Sequence, residues 1–273
     1  MKHALLVALE IIVLVYVGLG ILLYLCQNRL LYHPKTYSQA IAIQTANDLG
    51  VRLWPDPTSS LGFISHHAPQ NPIGTLLVFH GNAGSAIHRT HYISTLEPLG
   101  FRVILCEYPG YGHSPGKPGQ ASFVAAAHQA IQTAHQLYPE PLFVLGESLG
   151  SGVAAAAVKA NRERIKGVLL VTPWDTLPDL GQTLYWYFPT KWLTRDRYDS
   201  ILNLAEYTGP IGIVMAGQDE VIPNKHTQRL YDTLNGNKHL FRLDRASHNN
   251  WMERVDSAWW QDIKAFLFSD STK

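Results

Sequence analysis

Cysteine is scarce in this chain, with two in 273 residues, and that count supports no disulfide framework. Cys26 ends a long apolar run and Cys106 ends a predicted core strand, so both read as buried thiols. Their scarcity fits a reducing compartment. Charge is sparse too: Asp, Glu, Lys and Arg make up 16% of residues, and 22 bases against 21 acids leave a formal net charge of +1. The missing Lys/Arg run excludes a phosphate-tracking surface, so nucleic acid is not an expected partner. Neither a fixed repeat nor a low-complexity segment is present. With 46% apolar residues, the chain has material for one globular domain plus an appendage.

The appendage comes first. Residues 4–25 are apolar except for Glu10 and include fifteen Leu, Ile and Val. Such a run can cross a hydrocarbon core of about 30 Å. At roughly −0.3 to −0.6 kcal/mol each, those side chains outweigh one acid worth about +3 kcal/mol. A cleavable signal would be shorter and carry an Ala-x-Ala-like site, and Leu23-Tyr24-Leu25 before Cys26 does not suit a lipoprotein site. The expectation is an uncleaved single-pass membrane anchor over 4–25. Lys2 with the amino terminus on one side, against Arg29 and Lys35 on the other, leaves its orientation open. Residues 26–60 contain Pro34, Pro55 and Pro57 with little periodicity. They read as a connector lying on the domain, with room for an early strand.

From Leu61 onward, apolar strand-like runs alternate with helical patterns, which predicts an α/β domain over 61–270 around a mostly parallel sheet. Strands are expected at 74–79, 101–106, 141–145, 165–171, 211–215 and 240–243. Helices are expected at 122–137, 152–160 and 250–268. Between Pro173 and Tyr207 the alternation breaks into an aromatic-rich stretch, read as a cap insertion at about 175–207 covering the site.

Glycines flanking a serine allow a sharp strand-to-helix turn that thrusts the hydroxyl out of a sheet. The chain contains the pattern twice, around Ser148 and around Ser114. Ser114 follows a loop, and its next residue is Pro115, which has no N–H to offer an oxyanion. Ser148 has a strand before it, a helix after it and the Leu149 amide beside it, so it is the expected nucleophile.

A serine nucleophile needs a base and an orienting acid, which follow it in the chain in this arrangement. Asp219 stands just past the strand 211–215, at the sheet edge where sites collect. Asp175 is the rival acid and Glu220 a weaker one. Among the histidines, His226 falls in a predicted helix and His239 opens a strand. His248, in the loop after the last strand, is the expected base. His80-Gly81-Asn82 follows a buried strand, so the Asn82 amide is the expected second oxyanion donor beside Leu149. The loop lacks Walker spacing, and His88-Arg89-Thr90-His91 lacks the acidic partners of a metal site. No metal or cofactor is expected.

These segments, in order, resemble a known family. The set is His80-Gly81-Asn82-Ala83-Gly84, Tyr108-Pro109-Gly110-Tyr111-Gly112-His113-Ser114, Gly146 to Gly152, Gly217 to Pro223 and His248-Asn249. It is similar to the single-pass α/β-hydrolases related to the bud-emergence suppressor proteins, as are Gln27 to Pro34 and the cap segment Phe188 to Ser200. Two positions depart from that pattern: Glu107 stands for the usual Asp, and Ala246-Ser247 for a Gly-containing pair. The resemblance implies hydrolysis of an acyl ester or thioester in a small or lipid-like substrate. A peptidase on the same fold and a non-catalytic membrane-tethered interaction protein are the alternatives.

Overall fold

A computed structural model describes residues 1–269, so residue 270, the expected domain end, lies outside the described residues. Helix α1 (Lys2–Leu31) leads into the short strand β1 (His33–Pro34), helix α2 (Gln39–Asp48) and the strands β2 (Val51–Trp54), β3 (Gly62–Ser65), β4 (Gly74–Phe79) and β5 (Ala83–Gly84). Next come α3 (His91–Leu96), β6 (Phe101–Cys106), α4 (Gln120–Leu137), β7 (Leu142–Glu147), α5 (Leu149–Asn161) and β8 (Ile165–Val171). The insertion supplies α6 (Leu177–Leu184), α7 (Thr190–Leu193) and α8 (Ser200–Leu204). The chain then returns through β9 (Ile211–Ala216), α9 (Asn224–Thr233), β10 (Lys238–Leu243) and α10 (Ser257–Leu267).

The main sheet has the order β10-β9-β8-β7-β4-β6-β3-β2. All its pairs are parallel except β2 with β3 and β3 with β6. The central strands are continuous aliphatic runs because both their faces are covered. On β4, Leu77 and Phe79 face a core shared with Phe123 and Ile131 of α4 and Val153 of α5. Leu76 and Val78 point the other way, toward the core that holds Trp260, Ile263 and Leu267 of α10. Each such fully buried side chain contributes about 1.5–3 kcal/mol.

Three boundaries differ from expectation. The apolar helix does not end near Leu25 but continues to Leu31, because the polar residues of its last turns find partners on the cap. The stretch expected as a connector carries α2, capped by the Ser38 side chain accepting from the Ile41 amide, before its early strand, β2, at the sheet's edge. At the other end the expected helix over 250–268 is split. A 3-10 turn covers Trp251–Arg254, and extended Asp256 caps α10 by accepting from the Trp259 amide at 2.9 Å.

Candidate active site

Ser148 sits between β7 and α5 with φ 52° and ψ −115°. A left-handed non-glycine residue is strained and persists only where its surroundings hold it. The flanking glycines supply that hold by their smallness. A Cβ on Gly150 would lie 1.9 Å from the Phe79 carbonyl oxygen, and one on Gly146 would lie 2.4 Å from the Gly150 oxygen. The start of α5 is thus pressed onto the end of β4, and the serine takes the strain of the turn.

His248 lies in the loop after β10. Its Nε2 is 3.0 Å from Ser148 Oγ, and its Nδ1 is 3.0 and 2.9 Å from the two Asp219 carboxylate oxygens. The carboxylate only accepts, so Nδ1–H donates to it and Nε2 is left to accept the serine proton. Asp219 is held in turn by the amides of Val221 and Ile222, which donate to its Oδ1 at 2.9 and 2.7 Å. Its side chain is 2% exposed. Glu220 accepts from the His248 amide at 3.1 Å, so it props the loop.

The rival residues are engaged elsewhere. Asp175 is fully buried, with Oδ1 2.8 Å from His226 Nδ1, and His226 Nε2 is 2.9 Å from the Thr183 hydroxyl of α6. That pair fastens the cap to α9. His239 packs on Phe241 in β10. Ser114 sits in a turn, its amide donating to Tyr111 O.

Leu149 opens α5, where amides lack intrahelical acceptors, and Asn82 faces the same cavity. The Asn82 segment is clamped: its carbonyl accepts from the His33 amide and the Tyr111 hydroxyl, and its Nδ2 donates to Leu31 O at 3.0 Å. Beneath it, buried Glu107 accepts from the Ala86 and Tyr108 amides and lies 3.2 Å from His80 Nε2. The longer acid at this position therefore still braces the loop.

Sequence reasoning missed two features. Glu147, next to Ser148, accepts from Arg89 Nε and Nη2 and from the Tyr92 hydroxyl at 2.8 Å. Burial acts to raise its pKa, but Arg89 and Tyr92 outweigh that and hold the carboxyl below its ordinary range. The second is the shape of the pocket. A cavity of about 530 Å³ over Ser148 and His248 is walled by Trp174, Leu180 and Leu193 of the cap, and by Leu23, Tyr24 and Leu31 of α1. The aromatic insertion does line the pocket, although Trp186 and Trp192 point away from it and are exposed.

The serine aminopeptidase S33 family profile (Hydrolase_4) matches residues 70–193. An uncharacterised protein of Mycobacterium tuberculosis is 27% identical over 246 residues, spanning 88% of this chain and 86% of that protein. Protein bem46 of Schizosaccharomyces pombe is 27% identical over 206 residues, covering 71% of this chain and 67% of its own. The lysophosphatidylserine lipase ABHD12 of Danio rerio is 30% identical over 191 residues, 61% of this chain but 50% of the lipase. Among solved structures, a monoacylglycerol lipase of Paleococcus ferrophilus superposes with TM-score 0.56 over 73% of this chain and 96% of its own, at 19% identity. That last likeness concerns the fold.

Proposed function

The chain belongs to the α/β-hydrolase superfamily and has Bem-type relatives, and from that premise we propose that it is a membrane-anchored serine hydrolase of acyl esters or thioesters. The observation that carries this reading is the relay from Ser148 through His248 to Asp219, with contacts of 3.0 and 2.9 Å. As Ser148 Oγ attacks the carbonyl carbon, His248 Nε2 takes its proton and Asp219 stabilises the resulting imidazolium. The amides of Asn82 and Leu149 hold the oxyanion. His248 then gives the proton to the departing alcohol or thiol, and the acyl group stays on Ser148. Water, deprotonated by His248, releases the acid and restores the serine.

The largely apolar walls of the cavity suit an acyl chain. For a peptidase the pocket would have to receive a substrate amine. The acids that face it, Glu147 and Asp196, already serve Arg89 and the Tyr32 hydroxyl, which disfavours that reading. A non-catalytic role is disfavoured by the hydrogen-bond spacing throughout the relay. Helix α1, whose apolar window has mean hydropathy 2.7 and no buried residue, serves as the single-pass anchor in this account, and the hydrolase domain follows it.

A panel of p-nitrophenyl esters of rising chain length, with matched thioesters and aminoacyl amides, tests the reading. Wild-type protein should turn over esters or thioesters, and Ser148→Ala should lose at least about a thousandfold in rate. Equal turnover by Ser148→Ala would refute the assignment, and amide-only turnover would move it to the peptidase.

A further inference from the structure

Helix α1 does more than precede the domain. Tyr24 and Leu193, which line the cavity over Ser148, also line a second cavity of about 440 Å³ between α1 and the cap. Its walls are Tyr16, Val17, Gly20 and Ile21 on one side and Phe188 and Pro189 on the other. From Tyr16 to Tyr24 this apolar wall runs for about 12 Å along the helix.

The depth of this groove follows from the helix. With residues 4–25 in hydrocarbon, Tyr16 lies about 13.5 Å inside the domain-side edge of that stretch, nearly half of a core about 30 Å thick. The cap tip reaches that depth, because Phe188 stacks on Tyr16 with ring centroids 5.0 Å apart and the Tyr16 hydroxyl donates to Tyr187 O at 2.8 Å.

Irregular backbone at such a depth must satisfy its carbonyls within the protein. Here it does so from Tyr185 to Pro189. Tyr185 O accepts from the Phe188 amide and Pro189 O from the Trp192 amide. Gln182 Nε2 donates to both Trp186 O and Phe188 O, and Tyr16 serves Tyr187 O. The neighbouring Trp186 and Trp192 are 76% and 84% exposed. In water each ring would be exposed apolar surface, whereas in this placement they meet lipid.

We propose that the substrate is an ester or thioester of a bilayer-resident lipid, whose acyl chain reaches Ser148 sideways from the membrane through the groove between α1 and the cap tip. This rests on the hydrolase and anchor readings above. The N-terminal helix is then a wall of the substrate site, and Tyr16, Val17, Gly20 and Phe188 select a long apolar chain over a short one. The carbonyl is brought to the serine without the chain leaving hydrocarbon.

Gly20 offers a test, because a Cβ there meets nothing within 4 Å. The full chain in phosphatidylcholine vesicles is given soluble p-nitrophenyl butyrate and membrane-dissolved p-nitrophenyl palmitate, which share a leaving group. Gly20→Trp should lower the palmitate-to-butyrate rate ratio at least tenfold, and Val17→Trp on the same wall should do likewise. Fluorophosphonate labelling of each variant verifies a folded site. A ratio unchanged in both labelled variants overturns the portal. If wild type cleaves neither ester, or Ser148→Ala cleaves both, the hydrolase reading fails instead, and the two failures stay distinct.

Discussion

At the scale of single residues, the site is a set of constraints around one strained serine. Ser148 holds φ 52° because Gly146 and Gly150 let α5 close onto β4. Adding a methyl at Gly150 should therefore cost activity and folding together, read as lost phosphonate labelling and a lower Tm in Gly150→Ala. The choice of acid is equally testable. Asp219→Asn should lower kcat by about 10⁴, since the wrong tautomer of His248 is then favoured. Asp175→Asn should chiefly lower Tm, because Asp175 serves His226 and the cap. A collapse of kcat in Asp175→Asn with little loss in Asp219→Asn would reverse the assignment. Ser148, Asp219 and His248 were legible because each stands at a recognisable seam between strand and helix or loop. The pairs Glu147–Arg89 and Asp175–His226 were not, being 58 and 51 residues apart with no spacing to connect them.

At the scale of elements, α1 and the cap belong together. Several of the contacts at the end of the helix, past Leu25, reach the insertion. Gln27 Nε2 donates to Leu193 O, Gln27 Oε1 accepts from the Arg195 amide, and Tyr32 donates to Asp196. Sequence alone showed the apolar run and the aromatic insertion, but not that the two touch, since hydropathy carries no information about partners. The central strands β4 and β6 to β9 were readable because parallel strands buried on both faces are largely unbroken apolar runs. Edge strand β2, four residues long and ended by a proline, offered no such run. Two outcomes follow for α1. The protein should stay in the membrane pellet after alkaline carbonate extraction, and an N-terminal sequence starting within residues 26–32 of mature protein would show a cleaved leader instead. Deleting residues 1–31 should cost catalysis as well as membrane attachment, measured as lower p-nitrophenyl butyrate turnover in detergent, because the pocket loses Tyr24 and Leu31 and the Asn82 side chain loses its acceptor.

For the whole molecule, protons decide where the fold is stable. Burial holds the imidazoles of His91 and His113 below the ordinary histidine range. The unfolded chain then binds protons that the folded one refuses, so their contribution is full above about pH 6.5 and is lost as pH falls. Glu147, also depressed in the folded state, acts in the same direction further down. Its share is present above the ordinary carboxylate range and is lost below it. Tm should therefore fall as the pH drops from about 7.5 to about 5, with a smaller fall in the His91→Gln, His113→Gln double variant. A Tm that rises on acidification would contradict this.

Peptide mapping of the protein after reaction with a fluorophosphonate reads out whether Ser148 is the acyl-accepting nucleophile of a serine hydrolase. One adduct is expected, on the Ser148 peptide, that vanishes in Ser148→Ala and is strongly slowed in His248→Ala. An adduct on the Ser114 peptide, or labelling that persists in Ser148→Ala, would contradict it.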